Sequence, residues 1–199
     1  MHPNAAFRHD DRDLHLALID EVGFGMIFAA TPDGPRVAHV PMLRVGADRL
    51  QFHLSRGNAL TRHIAGAEVL AVINGPDGYV SPRWYADQQQ VPTWNYVSLE
   101  MEGRVTTLDA DGLVAHLDAL SAREEAQIDG EPWTSAKMEP TRFAKMREAI
   151  VGFELAVGAW RPTFKLSQNK SAEERARVVA GLEERGAMGM AALMRTLAP

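Results

Sequence analysis

Alternation between apolar and polar positions marks most of the strand-length segments of this chain. The clearest case is the segment 94–105, in which polar residues separate Val97, Leu99 and Met101. A period of two is typical of a half-buried strand. Further segments with this alternation, or with a continuous apolar run of strand length, are Phe24–Thr31, Arg36–Val45, Leu50–Leu54, Glu68–Asn74 and Phe153–Ala159.

The connections between strands and the end of the chain show two signals of helices. These are helical spacing of apolar residues and residues that favour a helix start. Leu113, Leu117 and Leu120 form the apolar face of one such helix. Ser171 and Glu174 have the spacing of a capping box, which begins another. The predicted helices lie after Asp13, over 58–65, after Asp109, over 141–148 and after Ser171, with a short helix in the tail after Gly186.

The order of these elements predicts the fold class. Strands do not alternate one by one with helices, and Pro32-Asp33-Gly34-Pro35 is a strong turn signal between two of them. The pattern favours a mainly antiparallel β-sheet or barrel with appended helices, which is an α+β protein. We expect a single domain over residues 1–199 with its C-terminal helices in 171–199.

Composition excludes several kinds of chemistry. The 199 residues contain no cysteine, so disulfides, thiolate nucleophiles and Cys-ligated metals are excluded. The formal net charge of −5 argues against wrapping of nucleic acid by a basic face. We see no signal peptide and no apolar run of membrane-spanning length, so we expect a cytoplasmic protein with no membrane partner.

An aromatic stretch from Gly75 to Tyr96 is predicted to form a loop between two core strands. It contains two of the four tryptophans and all three tyrosines. One interpretation is a well-packed surface loop. The other is the wall of a ligand site or a subunit interface, where aromatic side chains with polar tips are common.

The first candidate site consists of His53, Ser55, Arg56 and Asn58, between a strand and the helix predicted over 58–65. A hydroxyl, a guanidinium and free helix N-terminal amides together suit a phosphate group. The alternative is a capped helix with solvated neighbours.

The second candidate site follows the last predicted strand and consists of Lys165, Ser167, Gln168, Asn169 and Lys170. Amide side chains can read the donors and acceptors of a heterocycle, and lysine can neutralise an anion. The alternative is a solvated loop before a capped helix.

His39, beside Pro41, is a third candidate, although a lone strand histidine is more often a packed residue than a ligand. The seven histidines show no metal-ligand spacing, so we expect no metal site. Nucleotide-binding loops and a nucleophile elbow are absent from the sequence, and the scattered carboxylates define no catalytic pair. The catalytic residues, if any, stay unknown, and so does whether the protein is an enzyme.

Several motifs in order resemble the PaiB family of FMN-binding negative transcriptional regulators. The segments that carry the resemblance are His39–Pro41, His53–Asn58, Tyr79–Tyr85, Val91–Tyr96, Ile150–Glu154 and Lys165–Asn169. The resemblance implies a Greek-key split β-barrel of the FMN-binding type. It also implies a homodimer with FMN at the subunit interface.

In related barrels, basic and hydroxyl side chains after a central strand hold the phosphate, and the resemblance implies that Ser55, Arg56 and Asn58 match that position. The aromatic stretch and 165–169 would lie near the flavin ring or the dimer seam. The FMN-binding residues implied in this way are His39, His53, Ser55, Arg56, Asn58, Trp94, Lys165, Gln168 and Asn169.

Three functions follow from the resemblance. The first is a negative transcriptional regulator, although the chain has no basic recognition helix, so contact with DNA would be indirect or through a partner. The second is a flavin-dependent oxidoreductase or a haem-handling protein of the same fold. The third is a dimeric binding module without catalysis.

Overall fold

A computed structural model describes residues 4–198 of the chain. Within these residues, seven strands form one sheet in the order β2-β1-β5-β6-β7-β4-β3. The strands are β1 (Phe24–Thr31), β2 (Gly34–Pro41), β3 (Leu43–Val45), β4 (Arg49–Ser55), β5 (Glu68–Val80), β6 (Thr93–Thr107) and β7 (Ile150–Lys165).

The two edge strands of this sheet are β2 and β3, and a single residue, Met42, separates them in sequence. The chain can reach the opposite edge in one step only because the sheet curls. Met42 is fully buried at the junction, and its N–H donates to the carbonyl oxygen of Gly23 at 2.8 Å. Arg123 donates through Nη1 to the carbonyl oxygen of Met42 at 2.7 Å. The result is an antiparallel α+β split barrel, which confirms the predicted fold class.

The single strand predicted over Arg36–Val45 is therefore two strands. Alternation continues across Met42, so the sequence pattern does not mark the break. Pairing partners make the difference, because β2 pairs with β1 whereas β3 pairs with β4, both antiparallel.

Within residues 4–198, five α-helices accompany the sheet, and none of them has the length and apolar content that crossing a bilayer requires. They are α1 (Arg12–Val22), α2 (Ala110–Glu125), α3 (Pro140–Arg147), α4 (Ala172–Glu184) and α5 (Met188–Leu197).

The prediction of a helix over 58–65 is wrong, because this segment forms successive turns. Most of its backbone hydrogen bonds span three residues, as from Thr61 N–H to the carbonyl oxygen of Asn58 at 3.1 Å. Leu60 and Ile64 are fully buried and anchor the turns. Burial of these two side chains, rather than helix propensity, determines the backbone path.

The observed aromatic loop is shorter than the predicted one, Gly75–Tyr96, because β5 continues to Val80 and β6 begins at Thr93. Gly78 lies inside β5, where a Cβ would come within 2.6 Å of Leu182 on α4. This glycine therefore permits close packing of a helix on a strand and does not form a turn.

The capping box at the start of α4 is half formed. Ser171 Oγ accepts the N–H of Glu174 at 3.3 Å, as predicted. The carboxylate of Glu174 instead accepts the N–H of Ala86, at 3.1 and 3.3 Å. It therefore holds the loop after β5 against the start of α4.

The chain divides into two compact units. The first unit comprises residues up to His15, Asn74–Glu100 and the residues from Arg161 onward. The second unit comprises Leu16–Ile73 and Met101–Trp160. The three long strands β5, β6 and β7 each run from one unit into the other, and the prediction of a single domain stays a prediction.

Candidate functional site

The nine residues expected to bind FMN are divided between the two units. His39, His53, Ser55, Arg56 and Asn58 belong to the second unit. Trp94, Lys165, Gln168 and Asn169 belong to the first unit.

Arg56 lines a cleft of about 420 Å³ in the second unit. It follows β4 directly, and its N–H donates to the carbonyl oxygen of Ala149 at 2.9 Å. Its Nε donates to the carbonyl oxygen of Glu148 at 2.5 Å. These two bonds hold the guanidinium stem, and the terminal Nη groups have no partner within residues 4–198.

Arg147, near the end of α3, lines the same cleft. Its guanidinium carbon lies 5.2 Å from the ring centroid of Phe143. Its Nε is buried and has no hydrogen-bond partner among the described residues. A buried donor without an acceptor costs about 1–3 kcal/mol, so an anionic oxygen in the cleft would relieve a real deficit.

The N-terminus of α2 also reaches this cleft through Asp109 and Ala110. Asp109 is the N-cap, and its Oδ1 accepts the N–H of Gly112 at 2.7 Å. Glu148 lines the cleft as well. Two guanidinium groups thus face two carboxylates, one of which is occupied by helix capping, and the remaining donor capacity is on the arginines.

Ser55 and Asn58 turn towards their own backbone. Ser55 Oγ accepts the N–H of Gly57 at 3.3 Å, and Asn58 Oδ1 accepts the N–H of Leu60 at 2.9 Å. Neither residue lines the cleft. The anticipated helix N-terminal amides do not exist here, because 58–65 is not a helix. The anion-binding capacity of this region rests on Arg56 and Arg147.

His53 pairs with a second histidine that the sequence patterns did not single out. Its Nδ1 lies 3.1 Å from Nε2 of His116 on α2. Burial lowers the pKa of His53 below its ordinary value. Burial, with His53 and Arg123 nearby, lowers the pKa of His116 to about 4. Both rings are therefore neutral at physiological pH, one donating and the other accepting.

His39 lies on the edge strand β2, where it is exposed and stands opposite Met26 of β1. It does not line the Arg56 cleft. It lies instead on the exposed face of the β1–β2 pair.

In the first unit, Lys165 and Asn169 line a cavity of about 250 Å³. The Gln168 amide is engaged with its own loop, because Nε2 donates to the carbonyl oxygen of Phe164 at 2.5 Å and Oε1 accepts the N–H of Leu166 at 2.7 Å. Trp94 is 54% exposed and meets Tyr79 edge to face at 6.0 Å. Neither Gln168 nor Trp94 lines the cavity.

Sequence reasoning missed Arg147, His116 and Asn95. Arg147 and His116 lie on helices with no motif around them, so no local signal points to them. Asn95 is fully buried and bonded to Ser167. Asn95 is a polar residue in phase with the apolar positions Val97, Leu99 and Met101 of the alternating segment. A polar residue at a predicted core position is the one signal that could have found it.

Comparison with known proteins places the chain in a family. A sequence profile for the family described as "Putative FMN-binding domain" matches residues 1–159. "Protease synthase and sporulation protein PAI 2" of Bacillus subtilis is 30% identical over 183 residues, which are 88% of this chain and 87% of that protein.

Solved structures share the fold. The FAD and haem binding protein from Mycobacterium smegmatis has a TM-score of 0.62 at 22% identity, over 85% of this chain and 78% of that one. The flavocytochrome Anf3 from Azotobacter vinelandii has a TM-score of 0.61 at 16% identity, over 88% of this chain and 78% of that one. At these identities the likeness shows a common fold. The profile match and the similarity to PAI 2 show that this chain belongs to the PaiB family of FMN-binding-domain proteins.

Proposed function

We propose that this protein binds FMN, with the flavin phosphate in the cleft that Arg56 and Arg147 line. The observation that carries the proposal is the pair of guanidinium groups with unused donors at one cleft. One is the buried Nε of Arg147, and the others are the Nη groups of Arg56. Membership of an FMN-binding-domain family supplies the identity of the ligand.

The chemistry of a phosphate monoester suits these donors. It carries a charge of about −1.5 to −2 at neutral pH and three strong acceptor oxygens. Arginine binds such groups through two parallel N–H bonds, which are roughly twice as strong as neutral hydrogen bonds. The cleft volume of about 420 Å³ lies within the range of small-molecule sites. Bound FMN would supply reversible electron and hydride transfer.

A fluorescence titration with FMN tests this proposal. We expect Arg56→Gln and Arg147→Gln each to weaken FMN binding by roughly tenfold or more, because each loses a charge-assisted phosphate contact. Arg62→Gln is the matched control, since Arg62 is an exposed arginine outside the cleft. Its affinity for FMN should equal that of the wild type.

Riboflavin, which lacks the phosphate, provides the decisive comparison. The wild type should bind riboflavin more weakly than FMN by a similar factor, and the two arginine variants should lose this preference. Equal affinity of the wild type for both flavins would show that the cleft does not hold the phosphate. An affinity for FMN that both arginine variants retain would show the same.

We further propose a role as a negative transcriptional regulator of the PaiB type. Its net charge of −5 favours action through a protein partner over direct contact with DNA. An electrophoretic mobility shift on the organism's own promoters tests this, with salt varied. No shift with purified protein alone is the expected result, and a strongly salt-dependent shift would establish direct binding instead.

A redox or haem-handling role is the second candidate, favoured by the two structural neighbours named for flavin and haem. It predicts that NADH or NADPH bleaches the flavin absorbance of the FMN-loaded protein under anaerobic conditions, or that added haemin gives a shifted Soret band. A flavin that stays oxidised, with haemin unbound, would leave the regulatory role.

A further inference from the structure

The cavity of about 250 Å³ in the first unit has a cationic lining. Lys165 and Lys170 both line it, and no aspartate or glutamate of residues 4–198 does. Neither lysine forms an ion pair with any described carboxylate. A partly buried cation is normally paired, so two unpaired lysines at one cavity need an explanation.

Lys165 lies at the end of β7 and is about half buried. Its ammonium donates to Oγ1 of Thr93 on β6 and lies 5.9 Å from the ring centroid of Phe7. Burial lowers the pKa of Lys165. Its surroundings therefore make the charge costly and offer only a hydroxyl and an aromatic face in return.

Lys170 lies five residues further along the chain and has different neighbours. Its ammonium donates to Oε1 of Gln90 at 2.9 Å and lies 5.2 Å from the ring centroid of Tyr85. These contacts are again neutral. The two ammonium groups thus have no neighbour in common, and each could receive an anionic group of its own.

The bend between the two lysines is held in a strained conformation. Ser167 has φ of 58° and is the one non-glycine with positive φ in residues 4–198. Its Oγ accepts from Nδ2 of the buried Asn95 at 2.9 Å. The Lys170 N–H donates to the Ser167 carbonyl oxygen at 2.9 Å, which tightens the turn. Strain of this kind is often stored at ligand sites.

We propose that this cavity binds a small organic dianion, with one anionic group at each lysine. The neutral amides of Gln90 and Asn169 and the hydroxyl of Thr93 supply hydrogen bonds to the rest of the ligand. Dicarboxylates and phosphorylated carboxylates share the required chemistry. The site lies wholly in the first unit, and none of the residues that line it lines the Arg56 cleft of the second unit. It is therefore additional to the proposed flavin phosphate site.

Isothermal titration calorimetry with defined probes tests the proposal. Succinate represents dicarboxylates and phosphoglycolate represents phosphorylated carboxylates, and whichever binds more tightly identifies the class. Propionate, with one carboxylate, and succinamide, with none, are the matched ligand controls. We expect a dianion to bind at least tenfold more tightly than propionate, and succinamide not to bind.

The protein variants are Lys165→Met and Lys170→Met, which keep most of the apolar side chain and remove the charge. Each should weaken dianion binding by roughly tenfold or more. Lys145→Met is the control, because Lys145 is exposed on α3 outside the cavity. It should bind the dianion as the wild type does, and Lys170→Met and Lys145→Met should bind FMN as the wild type does, because neither lysine lines the Arg56 cleft. Thermal melts confirm that each variant is folded.

Four results would overturn the proposal. Binding of neither dianion, or equal binding of propionate, would show that the two lysines do not act together. Unchanged dianion affinity in the folded Lys165→Met and Lys170→Met proteins would place the binding elsewhere. FMN that displaces the dianion, with FMN affinity lost in Lys165→Met, would make the cavity part of the flavin site. Failure of the flavin proposal is seen separately, in the Arg56→Gln and Arg147→Gln titrations.

Discussion

Single buried polar residues carry much of the local geometry in both units. In the first unit, Asn95 and Ser167 bond to each other and hold the turn between two lysines. In the second unit, the buried His116 forms a neutral pair with the partly buried His53. Such groups are costly when a partner is lost, so their substitution reports directly on the sites they support.

Ser167 provides a test of backbone strain. Ser167→Gly and Ser167→Ala both lose the hydroxyl bonded to Asn95, but only alanine keeps a Cβ at φ of 58°. We expect Ser167→Gly to be more stable than Ser167→Ala by about 1 kcal/mol. Urea unfolding of the two proteins measures the difference. Equal stabilities would show that the turn relaxes when the hydroxyl is removed.

His116 makes stability depend on pH. Its pKa is about 4 in the folded protein, against about 6.5 in an unfolded chain. As pH falls through this window the unfolded chain takes up the proton first, so stability is lost on acidification and fully present above it. The loss from His116 is at most about 3 kcal/mol.

Urea unfolding at about pH 7.5 and about pH 4.5 tests this window. His116→Gln should lose less stability than the wild type on acidification, although it starts from a lower value. His63→Gln is the control, since His63 is exposed, and it should follow the wild type. The same pH dependence in His116→Gln and wild type would assign the acid sensitivity to other groups.

The strands and helices meet at positions where glycine is the only residue that fits. At Gly103 on β6, a Cβ would lie 1.9 Å from the carbonyl oxygen of Ala156 on β7. At Gly181 on α4, a Cβ would lie 2.3 Å from the ring of Trp84. The neighbouring elements contact these glycines through backbone and ring atoms. The requirement for glycine therefore comes from tertiary packing and not from the propensity of the local segment.

A matched pair of glycines on neighbouring strands tests this close approach. Gly103→Ala should destabilise the protein by about 3 kcal/mol or more, because the new methyl group meets backbone atoms that cannot rotate away. At Gly158 on β7 the nearest atom to a new Cβ would be 3.9 Å away. Gly158→Ala should therefore change stability by less than about 0.5 kcal/mol. Thermal and urea unfolding measure both, and similar stabilities would mean that the sheet readily adjusts at Gly103.

An apolar face on the β1–β2 pair is left exposed by residues 4–198. Phe24 is 52% exposed, Phe28 37% and Val37 43%. Their cross-strand register places Phe28 opposite Val37 and Met26 opposite His39 on one face. The alternate residues, such as Ile27 and Ala38, are buried. We propose that a second copy of this chain covers the face, in agreement with the homodimer that the family resemblance implies.

The dimer proposal predicts that the 21.9-kDa chain elutes at twice its mass in size-exclusion chromatography with light scattering. Phe28→Asp should give a monomer, because a charge buried in an apolar interface is unpaired. Ile128→Asp is the control, since Ile128 is also exposed but lies outside the face. A wild type that elutes as a monomer, or a Phe28→Asp dimer, would contradict the proposal.

Side-chain periodicity predicted six of the strands and the α+β class, because an antiparallel strand with one buried face repeats every two residues. Caps at Asp109 and Ser171 were also predicted and observed, since a cap is made within a few residues. The false helix over 58–65 and the false loop over 75–80 arose where buried contacts with distant residues override local propensity. Arg56 and Lys165 could be proposed as anion-binding residues because their motifs are local, and their binding roles stay predictions.

The amino-acid sequence by itself determined six strand-length segments, the α+β class and the absence of thiol chemistry, because these properties depend on neighbouring residues and on composition. Only the tertiary structure decided that Met42 joins opposite edges of the sheet, that Arg147 shares a cleft with Arg56, and that Lys165 and Lys170 meet at one cavity without a carboxylate. All three depend on which residues distant in sequence lie close together in space, and the fold of the whole chain decides that.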